Sequence, residues 1–403
     1  MLPVGADLAS MELAPESLTL LRPLGAGNFG EVNLMIAASG TVATTAVPVA
    51  VKSLTCTAAA AAAGDGAEDG AEDGGDAGNR NRFLGEAQIM AKVRHPNLVA
   101  LLGVCTKKAP LLMVLEYLSG GSLEDWLAVH AEALPMSGGV GILRDVAKGM
   151  QHLHHNDVLH RDLAARNVLI GPGLAVKVAD FGLAREAAPA AGAAADQEPY
   201  YRVSSEFILP LRWLAPEVMQ QSSFAKPADV YSFGILVWEV FQRRTTPAAE
   251  SYPFAKLSNG QLMDYLCRAD GPPMHNALPM PFDHAHCMAP TLIACLRRVP
   301  RERPEFSDLV RQCDPAAVRT VGAGAAEASG GGADASGGEV APLDRAMTDW
   351  GDGDHSARAA RAAAAGTLEE SKRPQRGKQA SVYLGFGETA PQARVGGIND
   401  ADA

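Results

Sequence analysis

The run Gly25-Ala26-Gly27-Asn28-Phe29-Gly30-Glu31-Val32 constrains this chain more than any other feature. Three glycines in six positions let backbone amides approach an anion closely, which suits any nucleotide phosphate. The residues downstream of the glycines narrow the choice. A dinucleotide fold opens a helix at this point and places an acid about 20 residues on. Here the loop leads instead into alternating Val32–Ile36 and then to a lysine in Val49-Ala50-Val51-Lys52. No Lys-Ser/Thr pair comes after the last glycine, so a P-loop is excluded as well. The alternating stretches Leu18–Leu24, Val32–Ile36 and Val47–Leu54 predict strands wrapped around a glycine turn.

Beyond these strands the composition changes several times. Residues 57–79 are nearly all Ala, Gly, Asp and Glu, too poor in large apolar groups to fold, and predict a disordered acidic insertion. Arg82–Arg94 carries Phe83, Ala87, Met90 and Val93 at helical spacing. Leu98–Val104 and Leu111–Tyr117 predict two further strands. Helices are then expected over Leu123–Ala133, Val140–His155, Lys226–Arg243, Gly260–Arg268 and Thr291–Arg298. Strands first and helices later indicate an α+β protein with two unequal lobes. The expected organisation is a flexible leader at 1–16, a folded domain at 17–312 and a low-complexity, disordered tail at 313–403.

The net charge of −11 argues against nucleic acid as a partner, since neutralising phosphates requires a basic surface. Most of that charge lies outside the expected core: residues 65–76 hold six acids and no base, and residues 314–403 hold thirteen acids against nine bases. The six cysteines form no C-x-x-C pair and no secretory leader is visible, which favours reduced thiols and a cytoplasmic location. No stretch reaches the roughly 18 to 20 apolar residues of a membrane span. The inner part of a longer receptor is the second reading.

The motifs His160-Arg161-Asp162-Leu163-Ala164-Ala165-Arg166-Asn167, Asp180-Phe181-Gly182 and Ala215-Pro216-Glu217 come after the glycine loop and Lys52 in order. Together with Glu86 on a helix they resemble the eukaryotic protein kinase catalytic domain, over about Leu18 to Gln312. The resemblance implies a two-lobed kinase fold: a small antiparallel sheet with one key helix, then a larger helical lobe. It implies ATP and Mg2+ as cofactors. Lys52 would hold the α- and β-phosphates, oriented by Glu86. Asn167 and Asp180 would hold magnesium, and Asp162 would take the proton of the attacking hydroxyl. Gly25, Gly27 and Gly30 would cover the phosphates. Leu24, Val32, Ala50 and Leu169 match positions above and below the adenine, Leu115 the back of the pocket, and Glu116 to Leu118 the hinge. Leu101, Met90, Phe181 and His160 would link the lobes, Asp229 would anchor the catalytic loop, and Arg303 would pair with Glu217.

Three features resemble tyrosine kinases. Ala164 stands two residues after Asp162, where serine/threonine kinases typically place a lysine, and the cation is found at Arg166. Leu209-Pro210-Leu211-Arg212-Trp213 matches the platform that holds a substrate backbone far enough away for a phenol. Tyr200 and Tyr201 resemble paired regulatory tyrosines of an activation loop, whose phosphates could be met by Arg185, Arg202 or Arg161. The implied function is ATP-dependent phosphorylation of protein tyrosines in signalling. A kinase-fold scaffold with little turnover and a serine/threonine or dual-specificity kinase remain as alternatives. Expected partners are protein substrates, with phosphotyrosine readers at Tyr200, Tyr201 or an isolated Tyr383 in the tail.

Overall fold

The computed structural model describes residues 8–27, 30–54, 74–187, 201–202, 208–221, 223–242, 252–268, 271, 273–278, 287–314 and 382–383. The first part is a five-stranded antiparallel sheet of order β1-β2-β3-β5-β4. Its strands are β1 (Leu18–Gly27), β2 (Gly30–Ala37), β3 (Val47–Ser53), β4 (Leu101–Cys105) and β5 (Leu112–Glu116). One face of β3 buries Val49 and Val51, which pack with Ala37 and Val114 into a small apolar cluster. Gly30 closes the β1–β2 hairpin at φ +129°, and a side chain there would place its Cβ 1.8 Å from the Ser53 carbonyl oxygen. Only glycine fits.

Helix α1 (Gly74–Lys92) buries Phe83, Glu86, Ala87 and Met90, a stripe at i, i+3, i+4 and i+7. It begins eight residues before the expected helix start at Arg82 and so takes Gly74–Asn79 out of the expected disordered insertion. Once a packed turn exists, extending a helix backward requires no new nucleus, so weak formers are recruited. Residues 57–73 of that insertion lie outside the described residues. A second correction concerns the leader. Met11 is buried at 2% exposure, Leu13 N donates to Val104 O at 2.7 Å, and Glu12 accepts from Thr106 N and Thr106 Oγ1 at 2.9 and 2.8 Å. Residues 8–17 are therefore tied to the edge of β4 rather than flexible.

The larger part is helical: α2 (Leu123–His130), α3 (Met136–His155), α4 (Pro216–Gln221), α5 (Lys226–Gln242), α6 (Asn259–Cys267), α7 (Ala289–Cys295) and α8 (Phe306–Gln312). Ser122 caps α2 by accepting from Asp125 N, and Ser258 with Gln261 forms a capping box on α6. Every residue of α5 from Ala228 to Gln242 is buried, which makes it the axis of this part. Short antiparallel pairs complete the structure. β6 (Val158–Leu159) joins β9 (Arg185–Glu186), β7 (Val168–Ile170) joins β8 (Val176–Val178), and β10 (Tyr201–Arg202) joins β12 (Ser223–Phe224). β11 (Ile208–Leu209) joins β13 (Val382–Tyr383). The tail expected to be disordered thus contributes one strand.

Arg303 pins the base of the helical part. Its guanidinium, fully buried, donates to both Glu217 oxygens at 2.6 and 2.8 Å, to Pro227 O at 2.8 Å and, through Nε, to Arg297 O at 2.8 Å. Replacing it strands a carboxylate and two carbonyls. Arg303→Met is expected to destabilise the fold by about 3 to 5 kcal/mol, read as a lowered urea midpoint with an unchanged slope. A loss below about 1 kcal/mol would show that the pair is dispensable.

Candidate active site

Lys52 lies on β3 opposite Val32 of β2 and Met113 of β5, so both strand edges fix its position. Its Nζ donates to the two Glu86 oxygens of α1 at 2.7 and 2.8 Å, and Asp180 Oδ1 stands 3.7 Å away. Burial works against both charges and lifts Glu86. It also opposes the Lys52 charge, but two carboxylates around one ammonium raise Lys52 overall. The two groups stand at ion-pair distance, 2.7 Å from Nζ to Oε1.

The loop after β6 is held from beneath. Asp229, in the first turn of α5, accepts from Arg161 N at 2.9 Å, His160 N at 3.0 Å and His154 Nε2 at 2.9 Å. These bonds hold its carboxyl below the usual range despite complete burial. Arg161 takes φ +70°, a left-handed turn that directs the chain into Asp162. Asn167 Nδ2 donates to Asp162 O and Oδ2 at 2.7 and 2.8 Å, and Arg166 donates to Asp162 Oδ1. Burial raises the proton affinity of Asp162, and Arg166 opposes that rise. His160 Nε2 donates to Ala179 O at 3.0 Å, just before Asp180, which is itself left-handed at φ +60°. Phe181 is fully buried against the His160 ring. Leu101, Met90 and Phe181 share one core cluster, and His160 is buried beside it.

These groups line one cleft of about 800 Å³ between the sheet and the helices. Lys52, Glu86, Asp162, Arg166, Asn167 and Asp180 form its polar side. Leu24, Gly30, Val32, Ala50, Leu115, Glu116, Leu118 and Leu169 are among the other residues that line it. The volume suits a nucleotide-sized ligand. Gly25 is not among the described lining residues; Gly25 and Gly27 belong to β1, opposite Val32 and Gly30. The Glu116 carboxylate is taken by Lys177 Nζ at 3.0 Å and Ala100 N at 3.2 Å, and its backbone N donates to Ala100 O at 3.0 Å. Tyr200 lies outside the described residues, and the backbone of Tyr201 pairs with Phe224.

Two elements of the site's support, the contact of Arg166 with Trp213 and the hold of Glu239 on the loop, were not read from sequence. Arg166 stacks over Trp213, 4.5 Å from the ring centroid, and so joins Asp162 to the segment Pro210–Trp213. That segment is fastened in turn by Arg212, which donates to Pro253 O, Phe254 O and Leu257 O at 2.7 to 2.9 Å. The second element is Glu239 on α5, whose Oε2 accepts from Ala165 N at 2.9 Å inside the catalytic loop. Sequence reading placed Glu239 only within the helix expected over Lys226–Arg243. A carboxylate on a helix buried all round was the available signal. Burial pushes it up to about 7, against the Ala165 amide and Arg166.

The family described as protein tyrosine and serine/threonine kinase matches residues 18–313. Among known proteins, tyrosine-protein kinase SRK2 of Spongilla lacustris is 35% identical over 300 residues, covering 74% of this chain and 70% of that protein. Human tyrosine-protein kinase FRK is 34% identical over 299 residues, 74% of this chain and 51% of FRK. Ephrin type-A receptor 5 of Gallus gallus is 32% identical over 318 residues, 77% of this chain and 27% of the receptor. The chain therefore spans from about a quarter to about two thirds of the length of these relatives.

Because Glu239 binds its proton more tightly folded than unfolded, its stabilising contribution is complete at low pH and fades as pH rises through about 7. Glu239→Gln keeps an acceptor for Ala165 N and removes the titration. Comparing thermal midpoints between pH 5 and 8, the variant is expected to gain on the parent as pH rises, by up to about 3 kcal/mol. Parallel curves would show that Glu239 does not titrate in this range.

Proposed function

The chain belongs to the protein tyrosine and serine/threonine kinase family, and on that footing we propose that it transfers the γ-phosphoryl group of ATP to tyrosine hydroxyls of protein substrates. The observation that carries this reading is the convergence of Lys52, Asp162 and Asp180, from three separate segments, on one cleft. Phosphoryl transfer asks a protein mainly to position reactants and offset charge. The Lys52 ammonium, held by Glu86, is placed to meet phosphate oxygens. The adenine fits the apolar side formed by Leu24, Val32, Ala50 and Leu169, with backbone groups from Glu116 to Leu118 at its edge.

Protein kinases generally use ATP with Mg2+, and the donor set here fits that ion. Asp180 offers a half-exposed carboxylate facing Lys52. The Asn167 nitrogen is engaged by Asp162, which leaves its amide oxygen as the ligand for a hard cation. Bound magnesium would supply charge neutralisation on the phosphates. Asp162 accepts the phenolic proton as the oxygen attacks. Arg166 and Asn167 orient its carboxylate.

Preference for tyrosine rests on Ala164, which leaves no lysine beside Asp162, and on Arg166 reaching over Trp213. That bridge sets the spacing between the proton acceptor and the segment on which a peptide would lie. Phosphates on Tyr200 and Tyr201 would add about two negative charges each and order the adjoining loop through Arg185 or Arg202. A cytoplasmic location accords with this reading, and no helix among the described residues is long and apolar enough to cross a membrane.

The test is transfer from Mg-ATP to a random Glu/Tyr polymer and to a serine-rich acceptor, with Asp162→Asn as the blank. Labelling of the tyrosine polymer alone is expected, reduced by roughly 10²- to 10⁴-fold in the variant. Labelling of serine instead would reverse the specificity, and no labelling of either acceptor would favour a scaffold.

A further inference from the structure

The tail meets the folded domain at one described place. Val382 lies opposite Leu209 and Tyr383 opposite Ile208, in an antiparallel pair. β11 is the last extended piece before Pro210, which lines the cleft together with Asp162 and Arg166. The next turn carries Trp213, beneath Arg166. The strand edge that holds the tail is thus continuous with the wall of the cleft beside the proton acceptor. Among the described residues, β11 pairs with β13 and with no other strand.

An open strand edge presents unpaired backbone donors and acceptors, and an extended peptide satisfies them without regard to most of its side chains. The sequence explains why this particular segment occupies it. Tyr383 is the only tyrosine beyond residue 314, set in the apolar patch Val382-Tyr383-Leu384 within a stretch otherwise rich in small and charged residues. The 67 residues between Asp314 and Val382 have a maximum reach of about 220 Å, ample chain to return to the domain. A tether of this kind presents the segment at an effective concentration far above that of a free peptide, so a ladder of two residue pairs suffices. Such a short ladder is weakly fixed in register, and each residue of slip moves the segment about 3.3 Å along the edge.

We propose that β11 is a docking edge for the chain's own tail and that Tyr383 is phosphorylated in cis by the active site beside it. This rests on the kinase reading above. The Tyr383 oxygen forms a bond to the γ-phosphorus of ATP as the bond between that phosphorus and the β,γ-bridging oxygen breaks. The phenolic proton passes to Asp162 and on to solvent, and ADP leaves. The product is a phosphotyrosine that no longer matches an acceptor site, so transfer converts the tail from occupant to released ligand.

The full chain, first dephosphorylated, is incubated with Mg-ATP over an approximately 100-fold range of protein concentration. Tyr383 phosphate is followed by mass spectrometry alongside transfer to the Glu/Tyr polymer. The expected result is a Tyr383 rate per molecule that does not change with dilution, as intramolecular transfer requires. Val382→Pro, which spoils a strand outside the folded domain, should slow it about tenfold while leaving polymer transfer intact. Tyr383→Phe should leave polymer transfer equal to or above that of the parent. Polymer labelling with no phosphate on Tyr383 overturns the proposal, even where Tyr383→Phe raises polymer transfer, because the tail is then a competitor rather than a substrate. A rate per molecule proportional to concentration overturns it in favour of a second copy. Failure to label either polymer or Tyr383 removes the kinase reading itself.

Discussion

The buried carboxylate of Asp229 is the interaction on which the rest of the site depends. It sits at the start of a helix buried from Ala228 to Gln242, and it accepts from two consecutive backbone amides and an imidazole. Two consecutive amides can reach one carboxylate only if the chain turns sharply, and Arg161 supplies that turn with its left-handed backbone. Asp162 comes directly after, already aimed into the cleft. The burial of one charge is offset by three hydrogen bonds, and the geometry of the proton acceptor is set by them.

α5 holds the same loop a second time. Glu239, almost three turns beyond Asp229, accepts from Ala165 N, so the loop is fastened on both sides of Asp162. Arg166, next in sequence, then ties Asp162 to Trp213, and Ser232 Oγ donates to Trp213 O at 2.9 Å. The catalytic loop and the segment Pro210–Trp213 are therefore referenced to one rigid helix rather than to each other alone. On the opposite wall, Lys52 and Glu86 join sheet to helix by a pair that water barely reaches. Positioning of this kind is what phosphoryl transfer demands of a scaffold.

Much of this was legible in the sequence because it depends on local period and on motifs. Alternation marked β1, β2 and β3, strands were also read over Leu98–Val104 and Leu111–Tyr117, and the spacing of Phe83, Ala87 and Met90 marked α1. The charged residues of the cleft came from the family resemblance, and the structure brings them together. What was missed depends on packing. Leu98–Ala100 reads as strand, yet Leu98 makes an isolated bridge to Val178 and Ala100 N is taken by the Glu116 carboxylate. α4 and α8 run for six and seven residues, too short to display a helical period. Residues 8–17 are ordered by contacts with β4, more than 80 positions away, which no local pattern encodes. The pairing of Val382–Tyr383 with β11 is more distant still.

Gly30 carries a further consequence. It is usual to think of the glycines in such a loop as leaving room for a phosphate, but this one leaves room for protein. Its missing side chain is the gap into which the Ser53 carbonyl fits, and Ser53 comes immediately after Lys52. Any methyl group there would wedge the neighbouring strand outward, and the ammonium would travel with it, away from both of its carboxylates. The hairpin glycine acts as a machined clearance, setting from the far side of a strand how close the cation stands to its work.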